Sequence, residues 1–240
     1  MGVIFNEILF RPIFNILVFL YNNVGGDLGV AIIILTLVVR LIFFPLSIKT
    51  IRSQREMSRI QPQLKEIQEK YKHDKSRQTQ EIMSLYKNTG VNPLSGCLPL
   101  LIQIPVLFAL YKAFMGGLDP KNLSLLYSFV TSPGQLSPNA FGFLDLSVRN
   151  IVLALVTGGF QFIQSWLSAP PKEKSGLTSG PEAGAAALSR QMLYFLPLMI
   201  ILISWKLPAG LVLYWAVTTL FSVFEQFYIR RFHGNPTINK

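Results

Sequence analysis

The 240-residue chain has one cysteine, two histidines and twelve acidic residues, and each shortage removes a class of function. Cys97 alone can form no intramolecular disulfide and has no metal ligands at useful spacing, which leaves it as a small packing residue. His73 and His233 stand in the polar stretch 49–92 and in the tail, no paired carboxylates occur in an apolar run, and Cys97 has no base near it in sequence. The chain also lacks a phosphate-binding glycine loop. An enzyme is therefore not expected, and no catalytic, cofactor or metal residue is assigned. Two similar halves with interrupted helices, the pattern of many secondary transporters, are missing too. The start has no basic n-region and no small-residue cleavage site, so no removable signal peptide is expected. Asn6 stands where a myristoylation motif wants Ser or Thr.

What the chain has in abundance is apolar length. Half of its residues are hydrophobic and only 14% are charged, with a net charge of +10 and a mean hydropathy of +0.41. That balance places it among integral membrane proteins. Five segments can cross a hydrocarbon core about 30 Å thick: 28–46, 94–115, 146–167, 191–206 and 208–228. The last two are joined so briefly that Pro208 and Gly210 mark a tight helical hairpin. Glu7, Arg11, Pro12 and Asn15 interrupt the earlier stretch 3–21, which reads as an amphipathic helix at the interface rather than a sixth span.

Loop charge sets direction. Residues 49–92 hold Lys49, Arg52, Arg55, Arg59, Lys65, Lys70, Lys72, Lys75, Arg77 and Lys87, whereas little beyond Lys112 and Lys121 follows the second span. The basic loop is expected in the cytoplasm, which puts the N-terminus outside and the C-terminus inside. Within that loop Met57, Ile60, Leu64, Ile67 and Tyr71 lay an apolar seam along one helix. A second helix, 76–88, brings Ile82, Met83, Leu85 and Tyr86 after a polar turn in which Asp74 or Ser76 is the cap. The expectation is a cytoplasmic helical hairpin over 49–92. The loop 168–190, rich in Pro, Gly, Ser and Ala, reads as a flexible connection, and 229–240 as a short cytoplasmic tail.

Arg40 is the residue that most narrows function, because it sits inside the apolar run LGVAIIILTLVVRLIFFPL. A charge at a helix centre costs about 2.5–3.5 kcal/mol on insertion scales. Thr36 lies one turn earlier on the same face. Glu225 is placed near the end of the last span, so no carboxylate is expected to neutralise Arg40, and an unpaired guanidinium implies water or an anionic guest. Against this stands simple snorkelling, since Leu46 is only about 9 Å of helical rise away. Gln103, Gln161, Gln164 and Ser222 are further polar groups in the spans, each of which could equally bond a neighbouring helix. Trp166, Trp205, Tyr194 and Tyr228 fall near span ends, as interfacial belts do, while Tyr214 and Trp215 lie deeper. The basic hairpin could likewise do no more than fix topology and touch anionic lipid.

Four stretches carry a family resemblance: GVAIIILTLVVRLIFFPL (29–46), IQPQLKEIQEKY (60–71), MSLYKNTGVNPLSGCLPLLIQIPVLFALY (83–111) and LPAGLVLYW (207–215). With these the chain resembles the YidC/Oxa/Alb membrane protein insertases across essentially the whole family core, in the bacterial form without a large periplasmic domain. The resemblance implies an all-α membrane protein with five transmembrane helices around a hydrophilic groove that opens to the cytoplasm and sideways to lipid. It also implies an external amphipathic helix and a cytoplasmic hairpin that receives substrates. The implied substrate-binding groove residues are Arg40, Thr36, Gln103, Tyr214 and Trp215, to which the polar Gln164 of the third span is added as a candidate from the sequence. The implied function is insertion and chaperoning of newly made membrane proteins in the bacterial plasma membrane. The implied partners are nascent membrane proteins, membrane lipids, the general secretion channel, and the ribosome or a targeting receptor. No cofactor is called for. From the residues alone, two other classes stay open: a small anion channel or carrier using Arg40, and an assembly factor whose hairpin merely docks partners.

Overall fold

The computed structural model describes residues 5–92, 98–117, 125–134, 136–168 and 194–232, whose regular elements are helices and one short β-hairpin, joined by turns and loops. A single π-helical turn, Asn6–Phe10, runs directly into α1, Arg11–Asn23, whose second residue is proline, a position where the missing N–H costs nothing. Phe10, Phe14, Leu17 and Tyr21 recur at helical spacing and are buried, which fixes the inward face of α1. The polar residues that interrupt this stretch fasten a loop. Asn15, fully buried, donates to the Leu125 carbonyl at 3.1 Å and accepts from the Tyr127 N–H at 2.6 Å, while Arg11 donates to the same carbonyl and lies over the Tyr127 ring. A buried amide of this kind is tolerated because its donor and acceptor are both used.

Helix α2 is continuous over Leu28–Lys70, 43 residues or about 65 Å. The sequence was divided into a span ending at Leu46 and a separate hairpin beginning at Lys49, and the structure joins them through Pro45 and Pro62. Each proline removes one backbone hydrogen bond, a cause of kinks, but neither ends the helix. Asp27 caps α2 by accepting from the Val30 N–H, and its other oxygen accepts from Phe141 N–H at 2.6 Å. Helix α3, Lys75–Thr89, is capped by Asp74 and closed by Gly90 at positive φ. It folds back on α2 around Ile60, Leu64 and Val91, with Met57, Ile82, Leu85 and Tyr86 beside them. Full burial of each aliphatic contributes roughly 1.5–3 kcal/mol. Ile67 and Tyr71 stay half-buried and Met83 is exposed, so this seam is shorter than the sequence spacing suggests.

Helix α4 is Leu98–Gly117, α5 is Ile151–Ser168, α6 is Tyr194–Ser204 and α7 is Ala209–Phe232. Strands β1, Asn139–Ala140, and β2, Leu144–Asp145, form the hairpin between α4 and α5. Just after β2, the Ser147 hydroxyl and N–H both donate to Asp145, which holds that half-buried carboxyl below its usual range. The starts of two helices pack on this hairpin and the residues just after it. Ala140 packs so closely on Gly29 that an added Cβ would stand 2.5 Å from it, and the Ala209 and Gly210 N–H groups donate to the Val148 and Leu146 carbonyls. Helices α2 and α7 thus start against the same loop and run parallel, packed along one another with Phe44 against Phe221 and Tyr228.

Among the described residues, α2, α5 and the Ala209–Ile229 part of α7 are long and apolar enough to cross a membrane. Helix α6 is apolar but shorter, and the expected spans 94–115 and 191–206 extend beyond the described residues, as does the loop 168–190. Large exposed side chains such as Leu41, Ile42, Val152, Leu155 and Phe224 cover the outer faces of these helices. Apolar surface of this extent is what lipid, rather than water, accommodates.

Candidate functional site

The parallel run of α2 and α7 brings two polar stripes face to face. On α2 the stripe is Thr36, Arg40 and Ser47, and on α7 it is Tyr214, Thr218, Ser222 and Glu225, each set at spacings that keep one side of a helix. Arg40 lies about 18 Å along α2 from its start, well inside the apolar segment. Its side chain retains 18% exposure, and Nη1 stands 3.7 Å from Glu225 Oε2. The Glu225 side chain is 3% exposed, Oε1 has no hydrogen-bond partner among the described residues, and Ser47 faces the carboxylate. The carboxylate is therefore enclosed on α7, and the arginine side chain is the half of the pair that keeps some exposure.

This contact corrects the expectation of an arginine without a carboxylate. Glu225 was set aside as lying near the end of the last span, but α7 runs on to Phe232, which leaves Glu225 inside a helix whose apolar stretch extends to Ile229. A signal for it was present in the sequence. Glu225 follows Tyr214 by eleven residues, three helical turns, and so shares its face.

A second polar contact joins α4 to the same region. Gln103 Nε2 donates to the Tyr214 hydroxyl at 2.5 Å, and Tyr214, 3% exposed, stands on the α7 face that carries Glu225. Arg40, Gln103 and Tyr214 are thus brought together, with Glu225 added. Thr36 is on the Arg40 face but fully buried, and its hydroxyl is used up in a 2.6 Å bond to the Ile32 carbonyl. It shapes the helix surface and offers no free donor. Gln164 on α5 and Trp215 on α7 are half-buried, and among the described residues no hydrogen bond joins either to the cluster.

Farther along, Arg55 donates to the carbonyls of Gln226 and Ile229, at 3.5 and 3.4 Å, and Gln226 donates to Ser168 at 2.8 Å. A cation at the last turns of α7 meets the negative end of the helix dipole. The root of the α2–α3 arm is therefore tied to the helix that carries Tyr214 and Glu225.

In chemical terms the described site holds one partly exposed positive side chain beside an enclosed carboxylate, a buried hydroxyl–amide pair and apolar walls.

Residues 19–236 match the family model described as 60Kd inner membrane protein. A protein of Fusobacterium nucleatum named Membrane protein insertase YidC is 33% identical over 218 residues, covering 90% of this chain and 93% of that protein. Proteins of the same name from Syntrophus aciditrophicus and Magnetococcus marinus are 35% and 34% identical over 225 residues each, 93% of this chain. This chain spans only 36% and 35% of the length of those two relatives. With a family model covering nearly all of it and a relative matched almost end to end, the chain belongs to the 60Kd inner membrane protein family, the YidC/Oxa group of integral membrane proteins.

Proposed function

We propose that this protein is a membrane protein insertase and chaperone that receives newly made membrane proteins in a hydrophilic groove open to the cytoplasm and sideways to lipid. The reading takes α2, α4, α5, α6 and α7 as five spans, α1 as an external interfacial helix, and α2 beyond the membrane with α3 as a cytoplasmic arm. Groove residues are Arg40, Gln103, Tyr214 and, lining rather than bonding, Thr36, Gln164 and Trp215. The protein acts alone or beside the general secretion channel, with the arm or tail meeting a ribosome or targeting receptor. The observation that carries the reading is Arg40, an accessible guanidinium within an apolar segment of a chain whose relatives are named insertases.

The mechanism follows from transfer energies. An acidic flank of a nascent protein must cross hydrocarbon at about 2.5–3.5 kcal/mol for a central Asp. A groove hydrated part-way shortens the dry distance, and Arg40 supplies a transient counter-charge. The apolar helix then moves into lipid, gaining a few tenths of a kcal/mol for each central Leu or Ile, and this drives release without a nucleotide.

The test is insertion of matched substrates with acidic or neutral translocated tails into vesicles that hold the purified protein. Arg40→Lys should retain much activity, because a flexible tail needs charge more than a bidentate fork. Removing both charges, Arg40→Ala with Glu225→Gln, should impair the acidic substrate by about 1–3 kcal/mol and the neutral one least, since water competes for the tail. Equal insertion of both substrates by wild type and this double variant would reduce Arg40 to an anchor. An anion channel or carrier, by contrast, would pass solutes through vesicles that contain no substrate protein. The Arg40–Glu225 contact weighs against it, because an internal carboxylate competes with a permeating anion.

A further inference from the structure

We propose that Glu225 is a resident stand-in for the substrate's acidic tail: it occupies Arg40 at rest, is displaced when a substrate carboxylate arrives, and thereby sets how strongly the site selects for acidic substrates. The proposal rests on the insertase reading.

The geometry of the pair is that of an exchangeable contact. Charge-assisted bonds between arginine and carboxylate lie near 2.7–2.9 Å and are often bidentate, whereas this contact is single and 3.7 Å long. A buried ion pair offsets its desolvation only with close geometry and with its remaining lone pairs satisfied. Here Oε1 of Glu225 has no hydrogen bond among the described residues, so the carboxylate is enclosed but incompletely compensated. The two partners are also unequal, 18% exposed for Arg40 and 3% for Glu225, so a newcomer reaches the guanidinium while the glutamate is held behind it on α7. Of the twelve acidic residues, Glu225 is the one within the five apolar segments. The carboxylates of Glu56, Glu66, Glu69 and Glu81 belong to the arm, and Asp27 and Asp145 lie at the opposite end of α2. Among the described residues, no other acidic group forms an ion pair with Arg40.

An internal competitor has a definite consequence. It lowers the affinity of the site for every acidic tail and hastens release, so a substrate is held only while its own carboxylates outnumber or outlast the glutamate. Removing the carboxylate should then sharpen the preference for acidic tails, and the sharpening should require Arg40. A merely structural glutamate would instead affect all substrates alike.

The experiment compares wild type, Glu225→Gln, Glu225→Asp and the double variant Arg40→Ala/Glu225→Gln in vesicles at equal protein level. Two quantities are read: the ratio of acidic-tail to neutral-tail insertion, and capture of each stalled substrate by a photo-crosslinker at position 215. Glu225→Gln should raise acidic-tail capture relative to neutral by about fivefold, the scale of one partly hydrated ion pair. Glu225→Asp, which keeps the charge, should stay near wild type. The double variant should lose the gain entirely. An unchanged ratio in Glu225→Gln, with insertion intact, would overturn the proposal while leaving the insertase reading standing. Equal loss of both substrates in Glu225→Gln and Glu225→Asp would also overturn it, assigning Glu225 to helix packing. A wild-type protein that inserts neither substrate would overturn both readings.

Discussion

At the scale of single residues, the unequal burial of Arg40 and Glu225 makes their substitutions unequal. Arg40→Ala leaves a carboxylate that is 3% exposed without its counter-charge, a loss that burial makes larger than the same loss at a solvated pair. Glu225→Gln strands only a guanidinium that keeps access to its surroundings, and glutamine preserves the shape. Membrane abundance and thermal stability in detergent should therefore fall markedly for Arg40→Ala, little for Glu225→Gln, and recover when Arg40→Ala is combined with Glu225→Gln. Lack of recovery in the double variant would mean that Arg40 holds the fold through something other than its charge. The arginine itself was legible in the sequence, because a guanidinium in an apolar run is costly wherever it packs. Its partner is only partly legible: the eleven-residue spacing from Tyr214 puts Glu225 on the same helix face, but the pairing also depends on α2 and α7 starting against one loop and running parallel, which a hydropathy pattern does not contain. Thr36 shows the opposite error: helical spacing placed it on the Arg40 face, but spacing cannot reveal that its hydroxyl bonds back to Ile32.

At the scale of elements, periodicity is reliable for the existence of a helix and weak on where one helix becomes another. The apolar seam and the Asp74 cap in the sequence mark the turn between α2 and α3, and Asp74 does cap α3. The division at residues 46–49 was a change of environment, from lipid-facing to polar composition, and the backbone continues through it. Proline did not announce a boundary there either, because a long helix with flanking turns on both sides absorbs the loss of one hydrogen bond. This continuity affects what the arm can do. A rigid extension of α2, tied at its root by Arg55 to the end of α7, can pass a force on its tip to the helix that carries Tyr214 and Glu225. Deleting residues 57–88, with a short flexible joint in their place, removes the α2–α3 seam but retains Arg55. The remaining helices should fold, since Ile60, Leu64 and Val91 form a cluster apart from the main core, while insertion should slow severalfold. Protease resistance of the remaining chain in detergent, together with the insertion rate, separates the two roles. Loss of the folded core would make the arm a brace.

At the scale of the whole molecule, charge and packing point to the same arrangement by independent routes. The Lys and Arg residues of 49–92 favour a cytoplasmic arm. Packing adds that the 125–148 loop is fastened to α1 through Asn15, Arg11 and Tyr21, and to the starts of α2 and α7. One end of the molecule is thus a laced cap of short loops and α1, and the opposite end is the basic arm. A groove closed outside and open inside is the proposal that fits that polarity, with the loop cap resisting separation of the helices at one end and the arm tied to α7 by Arg55 at the other. The same polarity gives a topology that can be measured without reference to activity. A reporter placed within the 125–134 loop should report the outside and one fused after Lys240 the cytoplasm. Reversing the loop charges, by exchanging Arg52, Arg59, Lys65 and Lys72 for glutamate, should weaken that orientation in newly made chains without touching the α1 cap. Cytoplasmic signal from the 125–134 reporter in the unmodified protein would invert the molecule, place Arg40 nearer the wrong surface, and leave the proposed route for an acidic tail with no entrance.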